Sequence, residues 1–255
     1  MNVLTIKGVS IGEGMPKIIV PLMGKTEKQI LNEAEAVKSL NPDIVEWRVD
    51  VFEKANDREA VIKLISKLRE SLADKLFLFT FRTHKEGGSR EMDESSYMAL
   101  LEAAVQTKAI DLIDIELFTG DANVKAFVSL AEENNVYVVM SNHDFEKTPA
   151  KNEILSRLRK MQDLGGHIPK IAVMPNDTRD LLTLLDATYT MKTKYADRPI
   201  ITMSMAATGL VSRLSGEVFG SACTFGAGEE ESAPGQIPVS ELRNVLEVLH
   251  KNTRK

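Results

Sequence analysis

A lysine stands inside a short apolar run that two prolines enclose, Ile168-Pro169-Lys170-Ile171-Ala172-Val173-Met174-Pro175. A run of this length, with β-branched residues and proline borders, predicts a buried strand. Alternation along the strand places Lys170 and Ala172 on one face and Ile171 on the other. A lysine held among apolar groups has its pKa lowered from about 10.4, and its neutral amine attacks ketones. The alternative is a lysine at the strand entrance whose ammonium reaches water along its own stem.

A histidine stands just past another apolar run, within Ser141-Asn142-His143-Asp144. The ordinary pKa of histidine lies near 6.5, so a histidine at a strand end is suited to accept and return a proton. The alternative is a surface or capping histidine. An earlier run ends in Arg82, and a loop with Glu86 and the pair Gly87-Gly88 follows it. Because reactive side chains of barrel enzymes gather where the strands end, these residues are candidates for a site.

Charged side chains alternate with apolar ones in residues 44–50. Three of them share one face of the predicted strand: Glu46, Arg48 and Asp50. A strand covered by helices needs an apolar outer face, so these charges point to the interior. Buried charges destabilise a fold unless they pair with one another or with a polar ligand; a purely structural ion network is the alternative. The run 112–117 repeats the arrangement with Asp114 and Glu116.

Strand-like apolar runs alternate with helix-period segments along the whole chain. Strands are predicted at 18–22, 44–50, 76–82, 112–117, 136–141, 170–174, 199–205 and 218–225, and helices at 27–40, 57–73, 94–107, 122–133, 150–164, 178–192 and 240–250. Eight such units in about 250 residues predict an α/β fold of the (β/α)8 barrel type. Residues 3–14 alternate and then turn on glycines, which predicts a β-hairpin ahead of the barrel.

An open doubly wound sheet is the main alternative fold. Its first turn is usually a glycine-rich phosphate loop, whereas this chain has Pro21-Leu22-Met23-Gly24-Lys25-Thr26 there. No linker or short repeat interrupts the series, so residues 1–255 are predicted to form one barrel domain. Helix starts are predicted at Thr26 with Gln29, at Thr148 and at Ser240.

Composition limits the function. The 255 residues carry a net charge of −5 and are 43% hydrophobic, which argues against a nucleic-acid surface and favours a small-molecule partner. The single cysteine, Cys223, fits a reducing compartment, and no apolar run approaches the ~18 residues of a membrane span. We therefore expect a cytoplasmic protein without a membrane contact. The histidines and the cysteine lack metal-ligand spacing and no nucleotide motif is present, so no metal or cofactor is expected.

The last two predicted strands are followed by loops that carry polar groups. Ser212-Arg213-Leu214 follows the seventh, and a glycine-rich loop at 226–236 follows the eighth. Ser232 and Gln236 are its hydrogen-bonding residues, and the loop is predicted to act as a mobile lid. A solvated connection is the alternative for its acidic part, Glu229-Glu230-Glu231.

Six segments together resemble the type I 3-dehydroquinate dehydratases of the shikimate pathway. They are Glu46-Trp47-Arg48-Val49-Asp50, Phe79-Thr80-Phe81-Arg82 with Lys85-Glu86-Gly87-Gly88, Ser141-Asn142-His143-Asp144-Phe145, Pro169-Lys170-Ile171-Ala172-Val173-Met174, Ser212-Arg213-Leu214 and Ser232-Ala233-Pro234-Gly235-Gln236. The resemblance covers essentially the whole chain. It implies a homodimeric barrel enzyme, a lyase that eliminates water from 3-dehydroquinate through a Schiff base and gives 3-dehydroshikimate.

The resemblance also implies residue roles. Lys170 would form the Schiff base with the C3 ketone, and His143 would remove the C2 proton and later protonate the departing C1 hydroxyl, with Glu86 orienting it. Arg213 would hold the substrate carboxylate. The other implied contacts are to the ring hydroxyls and interior network (Glu46, Arg48, Arg82) and from the lid (Ser232, Gln236). One departure is Pro21, which stands where a small hydroxyl residue is expected to contact substrate.

Two other functions fit parts of the pattern. A class I aldolase or related lyase also uses a barrel lysine, but the late loops lack a clear glycine-rich phosphate grip. A non-catalytic, ligand-binding barrel would be expected to lose the lysine, the histidine or the arginine, and this chain keeps Lys170, His143 and Arg213.

Overall fold

The computed structural model describes residues 3–228 and 235–253. The strands are β1 (Leu4–Ile6), β2 (Val9–Ile11), β3 (Lys17–Leu22), β4 (Ile44–Arg48), β5 (Leu76–Thr80), β6 (Leu112–Glu116), β7 (Tyr137–Asp144), β8 (Ile168–Val173), β9 (Ile201–Ser204), β10 (Cys223–Ala227) and β11 (Ile237–Pro238). The α-helices are α1 (Glu27–Ser39), α2 (Arg58–Leu72), α3 (Glu94–Gln106), α4 (Asp121–Glu133), α5 (Lys151–Asp163), α6 (Thr178–Thr190), α7 (Leu210–Leu214), α8 (Gly216–Phe219) and α9 (Val239–Thr253).

Strands β3 to β10 form a curled parallel sheet, with β10 beside β3 and the rest in chain order to β9. The two ends of this series meet through a parallel bridge between Ile200 and Ser221, and the Ala222 amide donates to the Ile200 carbonyl at 2.8 Å. Each of the eight strands is followed by helix, which is the connectivity of a (β/α)8 barrel. The predicted fold class is confirmed.

Two apolar cores hold the barrel. One lies between the strands and the outer helices and contains the outward faces, such as Trp47 and Phe79. The other fills the interior at the amino-terminal ends of the strands, with Ile19 and Leu112 among its members. The predicted hairpin is present as antiparallel β1 and β2, and it packs Ile6 and Ile11 against this inner core. It closes one end of the barrel, so the opposite end is available for a site.

One of the three predicted helix starts is confirmed. Thr26 and Gln29 form the predicted capping box at the start of α1. The other two predictions were wrong: α5 follows Ala150, because the Thr148 hydroxyl instead donates to the Met174 carbonyl at 2.9 Å, and Ser240 lies inside the first turn of α9.

Several strand boundaries differ from the prediction, and three of the differences matter for the site or for the order of elements. The eighth barrel strand is β10, not 218–225, since Val218 lies in α8 and Gly220, with φ +123°, ends that helix. Asp50 lies in a 3-10 turn beyond β4, and His143 lies within β7 rather than beyond it. Among residues 3–228 and 235–253, no helix has the length and apolar character needed to cross a bilayer.

Candidate active site

A cavity of about 230 Å³ opens at the carboxyl-terminal ends of the strands. All eight predicted site residues that the structure describes line it: Glu46, Arg48, Arg82, Glu86, His143, Lys170, Arg213 and Gln236. The ninth, Ser232, lies outside the described residues. Residues far apart in the sequence thus converge because the strands run parallel and end at one rim.

Lys170 projects from β8 into the barrel and is 3% exposed, which excludes the alternative of a solvent-reaching ammonium. Its Nζ lies 4.8 Å from the centroid of the Phe225 ring. The surroundings are less apolar than the sequence argument assumed, because Nζ also lies 3.4 Å from Oδ2 of Asp114. Asp114 was recognised as inward-facing, but its partner could not be read from alternation within one strand.

His143 and Glu86 form a pair at the cavity wall. Nδ1 of His143 lies 2.9 Å from Oε2 of Glu86, and the backbone N–H of His143 donates to the same oxygen at 2.9 Å. The Asn142 amide donates to Oε1 of Glu86 at 3.0 Å. These contacts fix the imidazole by one edge, so its Nε2 edge is the one available to a bound molecule.

The loop that carries Glu86 depends on two adjacent glycines. Gly87 has φ +82°, and a Cβ there would lie 2.2 Å from the Phe145 ring. A Cβ on Gly88 would lie 1.9 Å from the Arg82 carbonyl oxygen. The loop therefore folds back tightly onto β5, and Glu86 is held in place and only 6% exposed. The two glycines are needed here because they allow this close approach.

Burial shifts the proton affinities of the pair in opposite directions. It raises the pKa of Glu86 to about 8, and the negative charge of Glu116 adds to this effect. Burial lowers the pKa of His143 well below its usual value, and the positive charges of Arg82 and Lys170 act in the same direction. The imidazole is therefore neutral near neutral pH, the form that a general base needs.

Arg82 lies at the centre of the charges. Its guanidinium lies 2.8 Å from Asp114, 3.0 Å from Glu116 and 3.6 Å from Glu86. Burial opposes its charge, but these carboxylates outweigh burial and raise the pKa of Arg82 well above its usual value. Burial likewise opposes the charge of Asp114, yet Arg82 and Lys170 lower its pKa below the ordinary range.

The charged face predicted for 44–50 divides into two parts. Glu46 is buried and accepts a hydrogen bond from the Thr80 hydroxyl at 2.8 Å. Arg48 is held by Asp50 through two parallel hydrogen bonds of 2.9 and 3.0 Å. Asp50 also accepts the backbone N–H groups of Arg82 and Ser89, so it orients its neighbours. Both Glu46 and Arg48 line the cavity.

Arg213 and Gln236 approach from the late loops. Arg213 sits on α7, directly after β9, and is 2% exposed; its Nη1 lies 3.9 Å from the Met203 sulfur. Gln236 precedes β11, which pairs with β10 and thereby brings this side chain to the cavity. Met203 and Met205 also line the cavity. Pro21 lies in β3 in register with Glu46 and offers neither a hydroxyl nor an N–H there.

A parallel barrel whose cavity is lined by a buried amine and an imidazole–carboxylate pair has the groups that Schiff-base-forming lyases use. The sequence profile described as type I 3-dehydroquinase matches residues 18–253. The 3-dehydroquinate dehydratase of Bacillus subtilis (strain 168) is 91% identical over 254 residues, which span 100% of each chain. That of Bacillus velezensis is 63% identical and covers 99% of this chain and 100% of the relative.

Solved structures agree with the sequence comparison. A type I 3-dehydroquinate dehydratase from Clostridium difficile, with covalently modified comenic acid, has a TM-score of 0.95 at 50% identity and covers 98% of both chains. The enzyme from Geobacillus kaustophilus has a TM-score of 0.96 at 37% identity, with 99% and 98% coverage. The chain belongs to the type I 3-dehydroquinase family and is a hydro-lyase.

Proposed function

We propose that this chain eliminates water from 3-dehydroquinate and gives 3-dehydroshikimate through a Schiff base on Lys170. The main support is the burial of Lys170 at 3% exposure in the same cavity as the His143–Glu86 pair. An amine and a proton-transfer pair at one cavity are the groups that an imine-based elimination needs. Family membership supplies the substrate.

The reaction begins when the neutral Lys170 amine adds to the C3 carbonyl, and loss of water gives an imine. A protonated imine withdraws electrons from C2 more strongly than a ketone, so a histidine is a sufficient base. His143 takes the C2 proton, and the C–H electron pair forms an enamine. The enamine expels the C1 hydroxyl, which leaves as water with the proton that His143 returns. Hydrolysis of the imine then releases the product and regenerates Lys170.

Glu86 acts through His143. When Glu86 is ionised it accepts the Nδ1–H of the imidazole, which leaves Nε2 without a proton and directed to the substrate. Asn142 and the His143 backbone amide keep the carboxylate in position. Glu86 is thus a positioning residue, and His143 is the group that moves protons.

The remaining polar residues bind substrate. Arg213 offers a fork of N–H donors that suits the substrate carboxylate. Glu46, Arg48 and Arg82 face the ring hydroxyls and the interior network, and the role of Ser232 rests on the family resemblance alone. Gln236 closes the cavity, so we expect Gln236→Ala to raise KM more than it lowers kcat. Steady-state kinetics test this, and an unchanged KM would contradict it.

Reductive trapping tests the central step. Incubation with 3-dehydroshikimate and borohydride should attach the ligand to Lys170 alone, as read by peptide mass mapping. Lys170→Met should abolish both the adduct and turnover. Lys160→Met is the matched control, because Lys160 pairs with Asp121 on the surface and should keep both. An adduct on another lysine, or active enzyme without any adduct, would disprove the mechanism.

We extend the proposal to assembly and location, which the family resemblance and the composition support. The described residues, 3–228 and 235–253, form one domain, and the chain associates as a homodimer. Leu182 and Tyr189, exposed on one face of α6, supply apolar surface for the dimer contact. Light scattering coupled to size-exclusion chromatography measures the molar mass in solution, and a monomeric mass at micromolar concentration would refute the dimer. The buried, unpaired thiol of Cys223 fits a reducing compartment, the cytoplasm.

A further inference from the structure

Within residues 3–228 and 235–253, the carboxylate that pairs with the Lys170 amine is that of Asp114. Asp114 is fully buried on β6, and Lys170 is on β8, so the contact crosses the barrel interior over the intervening strand. Oδ1 of Asp114 accepts the Ser141 hydroxyl at 2.7 Å and lies 2.8 Å from the Arg82 guanidinium. Those two partners fix one oxygen and leave Oδ2 directed at Nζ, 3.4 Å away.

We propose that Asp114 is the counter-ion of the protonated Schiff base on Lys170. This rests on the function proposed above and names the group that keeps its intermediate charged. The iminium nitrogen carries one N–H and one positive charge, and Oδ2 is the acceptor already beside that nitrogen. An anion at this distance stabilises the charged form of the imine over the neutral form.

The charge balance of the reaction explains why such a group matters. The nitrogen is positive in the first imine, neutral in the enamine and positive again in the product imine. A neutral imine is a poor acceptor for the C2–H electrons, so turnover requires the proton to stay on nitrogen until C2 is deprotonated. Arg82 and Ser141 also contact the Asp114 carboxylate and lower its proton affinity. Asp114 therefore attracts the iminium N–H without removing its proton.

The other acidic groups of the site are engaged elsewhere. Glu86 is bound to His143, and Glu46 accepts the Thr80 hydroxyl. Glu116 accepts the backbone amide and hydroxyl of Thr83 and pairs with Arg82. The charged and titratable groups around Asp114 are Arg82 from β5 and its loop, Lys170 from β8, Glu116 from β6, Glu86 from the loop after β5, and Tyr97 from α3.

Asp114→Asn tests the proposal, because it keeps the shape of the side chain and removes the charge. We expect kcat at pH 7.5 to fall about 10²-fold. The pH at which kcat declines on the alkaline side should move down by about one to three units, because the iminium loses its proton more readily. Borohydride should still label Lys170 at low pH, where the imine is protonated without help.

Asp111→Asn is the matched control. Asp111 directly precedes the same strand and also pairs with cations, Lys7 and Arg69, but at the opposite end of the barrel. Its kcat and pH profile should equal those of the unaltered enzyme. An Asp114→Asn profile equal to that of Asp111→Asn would overturn the counter-ion role, while a missing Lys170 adduct in the unaltered enzyme would instead overturn the proposed function.

A measurement on the unaltered enzyme covers the case in which Asp114→Asn does not fold. The C=N stretching band of the imine formed with 3-dehydroshikimate should shift in D₂O from pH 6 to pH 9, since a protonated imine exchanges its N–H for N–D. An imine band that is insensitive to D₂O at pH 7 would show a neutral imine and overturn the proposal.

Discussion

Asp114 and Glu86 are two buried carboxylates on either side of one guanidinium, and they behave in opposite ways. Both contact Arg82, at 2.8 Å and 3.6 Å. The pKa of Asp114 lies below its ordinary range, whereas the pKa of Glu86 is raised to about 8. One guanidinium thus contacts a carboxylate that stays ionised near neutral pH and a carboxyl group that can gain or lose a proton there.

The difference comes from the neighbours, since burial acts on both. Asp114 touches two cations and a hydroxyl, which offset its desolvation. Glu86 has a longer contact with Arg82, neutral N–H donors and the repulsion of Glu116. Burial therefore decides that a shift occurs, and the charged partners decide its direction. The carboxylate that stays ionised lies beside the amine, and the carboxyl group that can gain or lose a proton lies beside the imidazole.

Removing the shared cation should have the largest effect. Arg82→Met leaves Asp114, Glu116 and Glu86 buried without their common partner, and breaking such a network costs about 3–5 kcal/mol. We expect a free energy of unfolding lower by that amount and a rise in the pKa of Asp114 and of Glu86, because the charge of Arg82 lowers both. Urea titration measures the stability. Arg198→Met, whose partner is the exposed Asp197, should change it by less than about 1 kcal/mol; equal losses would refute the central role of Arg82.

Glu116→Gln should narrow the difference between the pKa values of Glu86 and Asp114. Without that negative charge the pKa of Glu86 falls from about 8. The active pair has Glu86 ionised, so the acid side of the kcat/KM profile should move to lower pH by about one unit. The ionisation also acts on folding: a raised pKa means stability that is complete below about 4.5 and is lost as pH rises through about 8. Glu116→Gln should reduce that loss, and an unmoved profile would contradict the assignment.

A smaller effect is expected when Arg157 is replaced, because it reaches Glu86 only through Asn142. Nη1 of Arg157 donates to the Asn142 side-chain oxygen at 2.8 Å. Arginine has donors only, so the Asn142 NH₂ must face Glu86, where it favours the ionised carboxylate. Arg157→Ala should lower kcat about 5-fold, the worth of about one hydrogen bond, and move the acid limb to higher pH. Arg157→Lys keeps a donor and should restore both; an alanine variant with the normal profile would refute this coupling.

The sequence predicts the faces of this site better than its pairings. Alternation within one strand was enough to place Lys170, Arg82 and Asp114 in the interior, because a parallel barrel needs an apolar outer surface. The contact between Asp114 and Lys170 crosses the interior from β6 to β8, and such distances depend on how the whole ring closes. Boundaries failed for a related reason: His143 belongs to β7 because β8 pairs with it through Ala172, which only the register reveals.

The smallest effect is expected for Cys223, a third buried titratable group to compare with Asp114 and Glu86. It lies in β10 in the inner core, and burial, with the charge of Asp43 adding to it, raises its pKa to about 12. Glu86 keeps a pKa of about 8 because N–H donors and Arg82 oppose its desolvation, whereas for Cys223 the opposing charges of Lys17 and Lys170 are too weak.

The thiol should therefore stay protonated, and only a thiolate reacts with alkylating or disulfide reagents. In native protein at pH 8 we expect no labelling by iodoacetamide on the timescale of minutes, and one thiol per chain after denaturation in urea. Because Cys223 lies in the core, its native labelling rate should track global unfolding and be at least about 10³-fold slower. Cys223→Ser should show no labelling in either state. Rapid native labelling of the unaltered protein would mean that charged partners reach the thiol as they reach Asp114.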